Sequence, residues 1–219
     1  MEHLLELENL TKQFGGLLAV DQVNFTMASG EILGLIGPNG AGKTTIFNMI
    51  TGFHTPTEGE IRFQGEPLVQ PLRGLGKQLK DGGHGGQPHK ITERGIARTF
   101  QTIRLFRNLS ALENVMAGLH SRTHAGVWEA LLRTHAQQEE EAYITSEAER
   151  LLTFMGLAAY RDDLAKNLPY GDQRRLEIAR ALATKPTLLT LDEPAAGLNE
   201  QETLDLAALI HQIRDMGIS

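Results

Sequence analysis

Glu31 to Thr45 reads EILGLIGPNGAGKTT, and this stretch decides how the rest of the chain is interpreted. The apolar run from Ile32 to Ile36 predicts a strand, and it is followed by two glycines, Gly37 and Gly42, separated by four residues, and then by Lys and Thr. Glycines adopt conformations that a Cβ would forbid, so successive N–H groups can point at phosphate oxygens. Thr45 to Ile50 predicts a helix whose positive dipole end faces the same anion. The stretch therefore predicts a strand, a phosphate-binding loop and a helix.

Nine consecutive residues of this stretch are candidates for binding a nucleotide. Lys43 is placed to reach the β- and γ-phosphates, and the Thr44 hydroxyl is placed to bind Mg²⁺. The alternative is a glycine-rich turn without a ligand, and the predicted strand and helix on either side argue against it. The candidates are Gly37, Pro38, Asn39, Gly40, Ala41, Gly42, Lys43, Thr44 and Thr45.

The composition is that of a compact globular chain. Of 219 residues, 41% are hydrophobic and 22% are charged. With no cysteine the chain forms no disulfide or thiolate metal site, which is compatible with a reducing compartment. No apolar run approaches the eighteen or so residues of a membrane span. A formal charge of -6 argues against non-specific nucleic-acid binding, although a local basic patch remains compatible with it.

Alternating apolar and polar residues before the loop predict two strands that form an antiparallel flank. They lie around residues 5–8 and 23–27, and a further short strand is predicted at residues 60–64. Phe14 lies where the first strand turns. An aromatic ring there is placed to stack on a nucleotide base, although ordinary packing is the simpler explanation for a single residue.

The segment from Val69 to Gln87 is rich in glycine and has no apolar periodicity, which predicts a mobile surface loop. Pro88 to Arg94 predicts a short helix, because proline suits a first helical turn. Ile96 to Gln101 predicts a strand that ends in a polar side chain. Ligands gather at the carboxyl ends of strands in α/β sheets, so Gln101 is a candidate site residue.

Two helices are predicted in the middle of the chain. Ser110 and Glu113 form a capping box for a helix through about Leu119. Residues 139–155 predict a second helix with an acidic, solvated face, closed by Gly156. Together these helices predict a mostly helical lobe inserted into the sheet.

Two further segments carry candidate site residues. LPYGDQ, at residues 168–173, opens a helix whose glycine-bearing N-terminus is a second potential anion site. The alternative is a capped helix whose arginines meet solvent. Residues 187–191 predict a strand ending in Asp192, placed to hold Mg²⁺ through its water shell, and Glu193, placed as a base orienting a water. A final helix is predicted from its cap at Asn199.

Taken together, the phosphate loop, Gln101, LPYGDQ and LLTLDEP have the order and spacing of the ATP-binding cassette (ABC) family. Three segments resemble the ATP-binding subunits of branched-chain amino-acid importers, the LivG type: ARTFQTIRLFRNLSALENVMAGLH, YGDQRRLEIARAL and LDEPAAGLN. The resemblance covers nearly the whole chain. It implies a single α/β ABC ATPase domain over residues 1–219, with a RecA-like P-loop core, an antiparallel β flank and an inserted helical subdomain. The implied RecA-like/β lobe comprises 1–101 and 168–219, and the helical lobe 102–167.

The resemblance also implies cofactors and partners. Two such subunits, identical or different, hold two ATP molecules with Mg²⁺ between them. Phe14 becomes the adenine platform, and Gln101 a contact to Mg²⁺ and to the attacking water. Gly171 and Gln173 become contacts to the ATP bound by the partner. The surface around Arg104 to Leu109 becomes the dock for transmembrane permease subunits, which in turn meet a periplasmic solute-binding protein.

The chain departs from the family pattern at several positions. The usual Ser and first Gly of the signature are replaced by Pro169 and Tyr170, and the usual Gln by Asp172. The glycine-rich loop before Pro88 is longer than the family pattern. The family's switch histidine is expected beyond Ser219, so the resemblance predicts a C-terminally truncated chain of weak activity.

The function that the resemblance implies is a peripheral ATPase at the cytoplasmic face of the inner membrane, which powers import without binding nucleic acid. The alternative is a soluble ABC-type ATPase that acts on nucleic acid or ribosomes. No appended basic arm, coiled coil or second cassette occurs in these 219 residues, which favours the importer.

Overall fold

A computed structural model describes residues 3–69, 88–119 and 135–219. Apart from Val69, the predicted glycine-rich loop lies outside these residues. The strands are β1 His3–Phe14, β2 Leu17–Ala28, β3 Glu58–Phe63, β4 Glu66–Val69, β5 Ile96–Thr99 and β6 Leu188–Leu191. The helices are α1 Lys43–Ile50, α2 Pro88–Glu93, α3 Ala111–Leu119, α4 His135–Phe154, α5 Tyr170–Ala183 and α6 Glu200–Asp215, and 3₁₀ turns occur at Ala158–Tyr160 and Ala165–Asn167.

The chain divides into two compact units. The first contains residues 1–96 and 213–219, and the second contains residues 97–212. These units differ from the predicted lobes, because residues 168–212 group with the helices. The physical reason is that α5 packs along α3 and α4, which draws the start of the predicted C-terminal segment into the helical unit. The lobe division implied by the resemblance stays a prediction.

An antiparallel sheet in the order β2-β1-β3-β4 forms most of the first unit. The predicted strands near residues 5–8, 23–27 and 60–64 are all present. Leu5 and Leu7 are buried on one face, and Glu6 between them is partly exposed, as alternation requires. The core of this unit also contains Leu10, Ile61 and Phe63.

The segment before the phosphate loop differs from its prediction. Residues 31–38 have no regular structure, whereas Ile32 to Ile36 were expected to form a strand. The side chain of Ile36 is 95% exposed. A strand is held by hydrogen bonds to a neighbour, and no described strand pairs with this run. An apolar sequence without a ladder partner remains irregular, so the prediction of a strand here is wrong.

In the second unit, α3, α4 and α5 pack around buried apolar side chains that include Val115, Leu152 and Leu176. The predicted capping box at the start of α3 is present. The Ser110 N–H donates to Glu113 Oε2 at 2.7 Å, and the Glu113 N–H donates to Ser110 Oγ at 3.1 Å. Strands β5 and β6 form a two-stranded sheet.

The last helix, α6, begins as predicted. Asn199 Oδ1 accepts a hydrogen bond from the Glu202 N–H at 2.9 Å, and the Glu202 carboxylate accepts one from the Asn199 N–H at 2.8 Å. Both bonds satisfy N–H groups that the helix itself leaves unpaired. Among the helices in the described ranges, none combines the length and apolar character that crossing a membrane requires.

Candidate functional site

The phosphate loop is closed by its own lysine. Lys43 Nζ donates to the carbonyl oxygen of Gly37 at 2.7 Å and to that of Pro38 at 2.9 Å. The ammonium group therefore lies at the start of the loop, although Lys43 itself is the first residue of α1. This contact gathers the predicted loop residues around one positive charge.

Glycine is required at two positions of the loop. Gly40 and Gly42 have φ values of +84° and +87°, a region that side chains with a Cβ rarely occupy. A Cβ on Gly42 would lie 2.5 Å from the carbonyl oxygen of Ala19, whereas one on Gly40 would meet nothing within 4 Å. The loop thus lies directly against β2 at Gly42.

The N-terminus of α1 is open to an anion. Gly42 occupies the capping position, and no side chain hydrogen-bonds to the cap. The first amides of an α-helix lack partners within the helix and carry its positive dipole end. Thr44, in the same turn, is exposed. Backbone donors, Lys43 and a hydroxyl therefore meet at one place, which fits phosphate.

Phe14 lies at the end of β1, where it pairs with Leu17 at the start of β2. Its ring is 41% exposed, contacts His54 edge-to-face at 5.2 Å, and lies 4.9 Å from Lys12 Nζ. The same hairpin contacts the phosphate loop through Ala19. The structure is compatible with both interpretations of Phe14, stacking on a nucleotide base and ordinary packing, because the ring packs against a neighbour and retains an exposed surface.

In the second unit, Gln101 and Glu193 meet. Gln101 Nε2 donates to Glu193 Oε2 at 2.8 Å. Gln101 follows β5 and Glu193 follows β6, and these two strands are neighbours in the sheet. The two residues that the sequence selected for positions after strands are thus within hydrogen-bonding distance, although 92 positions separate them.

The backbone of Glu193 is strained. Its φ of +48° is unusual for any residue except glycine, and asparagine or aspartate tolerate it better than glutamate. Such strain costs about 1–3 kcal/mol and persists only where the surroundings enforce it, typically at functional sites. The side chain is nevertheless exposed, so it combines a fixed backbone with access to solvent.

Asp192 is buried and paired with an arginine that sequence reasoning missed. Arg98 Nη2 lies 2.9 Å from Asp192 Oδ2, and both side chains are 5% exposed. Burial lowers the pKa of the Arg98 guanidinium, and the hydrogen bond to Asp192 opposes that change. Arg98 carries no motif signal of its own, because its importance comes from a partner 94 positions away.

The start of α5 brings Gly171 next to α6. A Cβ on Gly171 would lie 2.9 Å from Glu202 Oε1. Pro169 is the capping residue and provides no side-chain hydrogen bond. Gln173 Nε2 donates to the Leu168 carbonyl oxygen at 2.8 Å, so this amide group supports the first turn of its own helix. Tyr170, a departure from the family pattern, donates from its hydroxyl to the Ala196 carbonyl oxygen at 3.2 Å.

The side chain of Asn114 hydrogen-bonds to the backbone of the loop from Arg104 to Leu109. Asn114 is a second residue that the sequence did not single out. The Asn114 side chain is fully buried. Its Oδ1 accepts from the Phe106 N–H at 2.9 Å, and its Nδ2 lies within hydrogen-bonding distance of the Phe106, Leu109 and Ser110 carbonyl oxygens. Phe106, in the same loop, is 52% exposed. The hydrogen-bonded loop therefore presents an aromatic ring to solvent.

The arginines of α5 were expected, in the structural alternative, to meet solvent. That expectation is wrong for Arg174, which is 1% exposed. The only sequence signal was Glu177 three residues later, a spacing that places both charges on one helix face.

The chain matches a known protein family over most of its length. The model of the family described as "ABC transporter" matches residues 20–196, which include the phosphate loop, Gln101, Gly171, Asp192 and Glu193. The chain belongs to the ABC transporter family. The resemblance found in the sequence motifs is confirmed.

Curated members of the ABC transporter family are similar over nearly the whole chain. The high-affinity branched-chain amino acid transport ATP-binding protein BraF of Pseudomonas aeruginosa is 44% identical over 96% of this chain and 77% of its own length. The protein of the same description named LivG, from Escherichia coli K12, is 43% identical over 97% of this chain and 77% of its own length.

A solved structure extends the likeness to the fold. MJ1267, an ATP-binding cassette of an ABC transporter, superposes with a TM-score of 0.80 at 29% identity, covering 100% of this chain and 80% of its own. The predicted fold class, an α/β P-loop ABC cassette with an antiparallel flank and added helices, is therefore confirmed.

Proposed function

We propose that this chain binds and hydrolyses ATP to power an ABC importer, and that the imported solute is a branched-chain amino acid. The observation that carries ATP binding is the phosphate loop, where Lys43, two glycines at positive φ and an uncapped helix start converge. Membership of the ABC transporter family supports the link to transport. The choice of solute is supported by the names of BraF and LivG.

Each candidate residue takes a defined part in this proposal. Lys43 and the loop amides bind the phosphates, and Phe14 supports the adenine ring. Glu193 accepts a proton from the attacking water, and Gln101, bonded to it at 2.8 Å, orients that water. Gly171 contacts the ATP held by a second subunit. We assign Gln173 to the same contact, which its side chain would make on leaving the Leu168 carbonyl oxygen, because its backbone N–H donates to the Pro169 carbonyl oxygen at 2.9 Å.

We assign Mg²⁺ binding to three side chains whose chemistry suits this cation. Thr44, Gln101 and Asp192 offer a hydroxyl, an amide carbonyl and a carboxylate, and Mg²⁺ prefers such hard oxygen ligands. Bound Mg²⁺ would neutralise charge on the phosphates.

Partners follow from the same proposal. A second ATPase subunit, identical or homologous, completes each ATP site, and transmembrane permease subunits hold the pair at the cytoplasmic face of the inner membrane. A periplasmic solute-binding protein acts through the permease. The loop from Arg104 to Leu109 is the dock, because the buried bonds of Asn114 fix its backbone and Phe106 remains 52% exposed.

Nucleotide binding is tested with Lys43→Ala. The change removes the one loop side chain that carries a positive charge, and charge-assisted hydrogen bonds contribute about 1.5–3 kcal/mol each. Affinity for Mg-ATP, measured by calorimetry, should fall at least about tenfold. Lys90→Ala is the matched control, since Lys90 is exposed on α2. Unchanged affinity in Lys43→Ala would contradict the assignment.

Docking is tested by co-purification with co-expressed permease subunits. Phe106→Glu should abolish co-purification, because a charge replaces the exposed ring of the dock. Tyr143→Glu is the matched control: its ring is also 52% exposed, but it lies on α4. Equal recovery of both variants with the permease would place the dock elsewhere, whereas loss of solubility in Phe106→Glu alone would show that Phe106 is core.

A further inference from the structure

An ion pair is buried in the first turns of α5. Arg174 Nη1 lies 3.0 Å from Glu177 Oε2, and the two side chains are 1% and 2% exposed. Removing two charges from water costs several kcal/mol for each ion, so such a pair is tolerated only where further hydrogen bonds satisfy it. The further hydrogen bonds of Arg174 and Glu177 therefore indicate the role of the pair.

Arg174 and Glu177 bond to the backbone of the segment that follows β5. Arg174 Nη1 donates to the Phe100 carbonyl oxygen at 2.7 Å, and Arg174 Nη2 donates to the Gln101 carbonyl oxygen at 2.9 Å. From the other side, the Arg104 N–H donates to Glu177 Oε1 at 3.1 Å. Three backbone groups of residues 100–104 are thereby fixed to one helix.

The pair is not an optimal stabilising solution for this site. The Nε atom of Arg174 is buried, and no described residue accepts a hydrogen bond from it. Apolar residues of similar volume often match or exceed the stability of a buried ion pair. The arrangement instead gives a planar, two-pronged donor that reaches two successive carbonyl oxygens, which no apolar side chain can do.

The fixed segment contains Gln101, whose side chain donates to Glu193 at 2.8 Å. We propose that Arg174 and Glu177 are positioning residues, which hold the backbone of residues 100–104 on α5 and so set the place of the Gln101 amide beside Glu193. Any displacement of the first turns of α5 then displaces Gln101 with it. The effect on turnover rests on the proposed ATP hydrolysis, whereas the backbone attachment does not.

Hydrogen–deuterium exchange tests the attachment directly. In the double variant Arg174→Met/Glu177→Leu both charges are removed together, so no unpaired buried charge remains. Exchange of the amides of residues 101–106 should become about tenfold faster, the consequence of losing one to two net hydrogen bonds. Arg175→Met is the matched control, because the adjacent Arg175 pairs with Asp205 at 3.4 Å and makes no bond to this segment. Its exchange over residues 101–106 should equal that of the parent.

Steady-state ATP turnover tests the consequence. The double variant should lose about ten- to a hundredfold in kcat, since small misplacement of a reacting group has effects of this size. KM for ATP should stay within about twofold, because the phosphate loop is intact. The kcat of Arg174→Lys should lie between those of the parent and the double variant, because an ammonium group retains the charge but cannot donate to two carbonyl oxygens in the planar geometry of a guanidinium.

The backbone attachment, the positioning role and the proposed function can each be refuted separately. Unchanged exchange over residues 101–106 in the double variant would refute the attachment. Faster exchange with parental kcat would refute the positioning role, and so would equal losses in the double variant and in Arg175→Met. Should the double variant fail to fold, Arg174→Lys provides both measurements. A parent protein without ATP turnover would refute the proposed function, while the exchange data would still decide the attachment.

Discussion

The phosphate loop and the pair formed by Gln101 and Glu193 are built in opposite ways. The loop is made within nine consecutive residues, largely from backbone groups, and its only long side chain folds back onto Gly37 and Pro38. The pair joins side chains 92 positions apart, and the backbone of Gln101 depends on Arg174, 73 positions away. A site made of local backbone tolerates change in distant residues. A site made of distant side chains is expected to lose activity in proportion to the support that is removed.

The largest effect expected in the side-chain site is that of Glu193→Gln. The amide keeps the shape of the carboxylate but cannot accept the proton of the attacking water. We expect kcat for ATP to fall about a hundred- to ten-thousandfold, with Mg-ATP affinity retained. Steady-state turnover and calorimetry measure the two quantities.

Glu139→Gln is the control for that experiment, because Glu139 is an exposed carboxylate on α4. It should hydrolyse ATP at the parental rate. If Glu193→Gln also did so, the base would lie elsewhere, and the contrast between a binding loop and a separate catalytic pair would disappear.

The same contrast explains which features the sequence predicts. The loop, the capping box at Ser110, the helix cap at Asn199 and the strand alternation near Leu5 are local patterns, so their structure follows from spacing alone. Gln101 and Glu193 were found only because they follow strands. Arg98 and Arg174 were missed, since their roles depend on carboxylate and carbonyl groups brought close by the fold.

The failed strand prediction at Ile32 to Ile36 has the same cause. Propensity for a strand is local, but a strand exists only when a neighbour supplies its hydrogen bonds. The phosphate loop nevertheless keeps its form next to this irregular segment, because its contacts are its own lysine bonds and the approach of Gly42 to Ala19. None of these contacts involves Ile32 to Ile36, so the loop does not depend on the strand expected there.

A smaller effect should separate conformational strain from collision inside the loop. Gly40→Ala should lower the free energy of unfolding only by the cost of a positive φ, about 1–2 kcal/mol, because a Cβ there has no neighbour within 4 Å. Gly42→Ala has the same conformational cost, and its Cβ would in addition collide with the Ala19 carbonyl oxygen at 2.5 Å. Gly42→Ala should therefore be the less stable variant in urea and should bind Mg-ATP more weakly. Equal stability of the two variants would show that the loop moves away from β2 at little cost.

The smallest effect concerns Phe14, the one side chain near the loop that is assigned to the base rather than to the phosphates. Phe14→Leu retains apolar packing but removes the aromatic face, and an aromatic contact contributes about 0.5–1.5 kcal/mol beyond its buried area. Affinity for Mg-ATP should fall about two- to tenfold by calorimetry. Affinity for magnesium tripolyphosphate, which has no base, should not change. If both affinities fell equally, or if stability fell and neither affinity changed, the contact between Phe14 and His54 would be packing only. The phosphate loop would then bind its nucleotide without a stacking contact from β1.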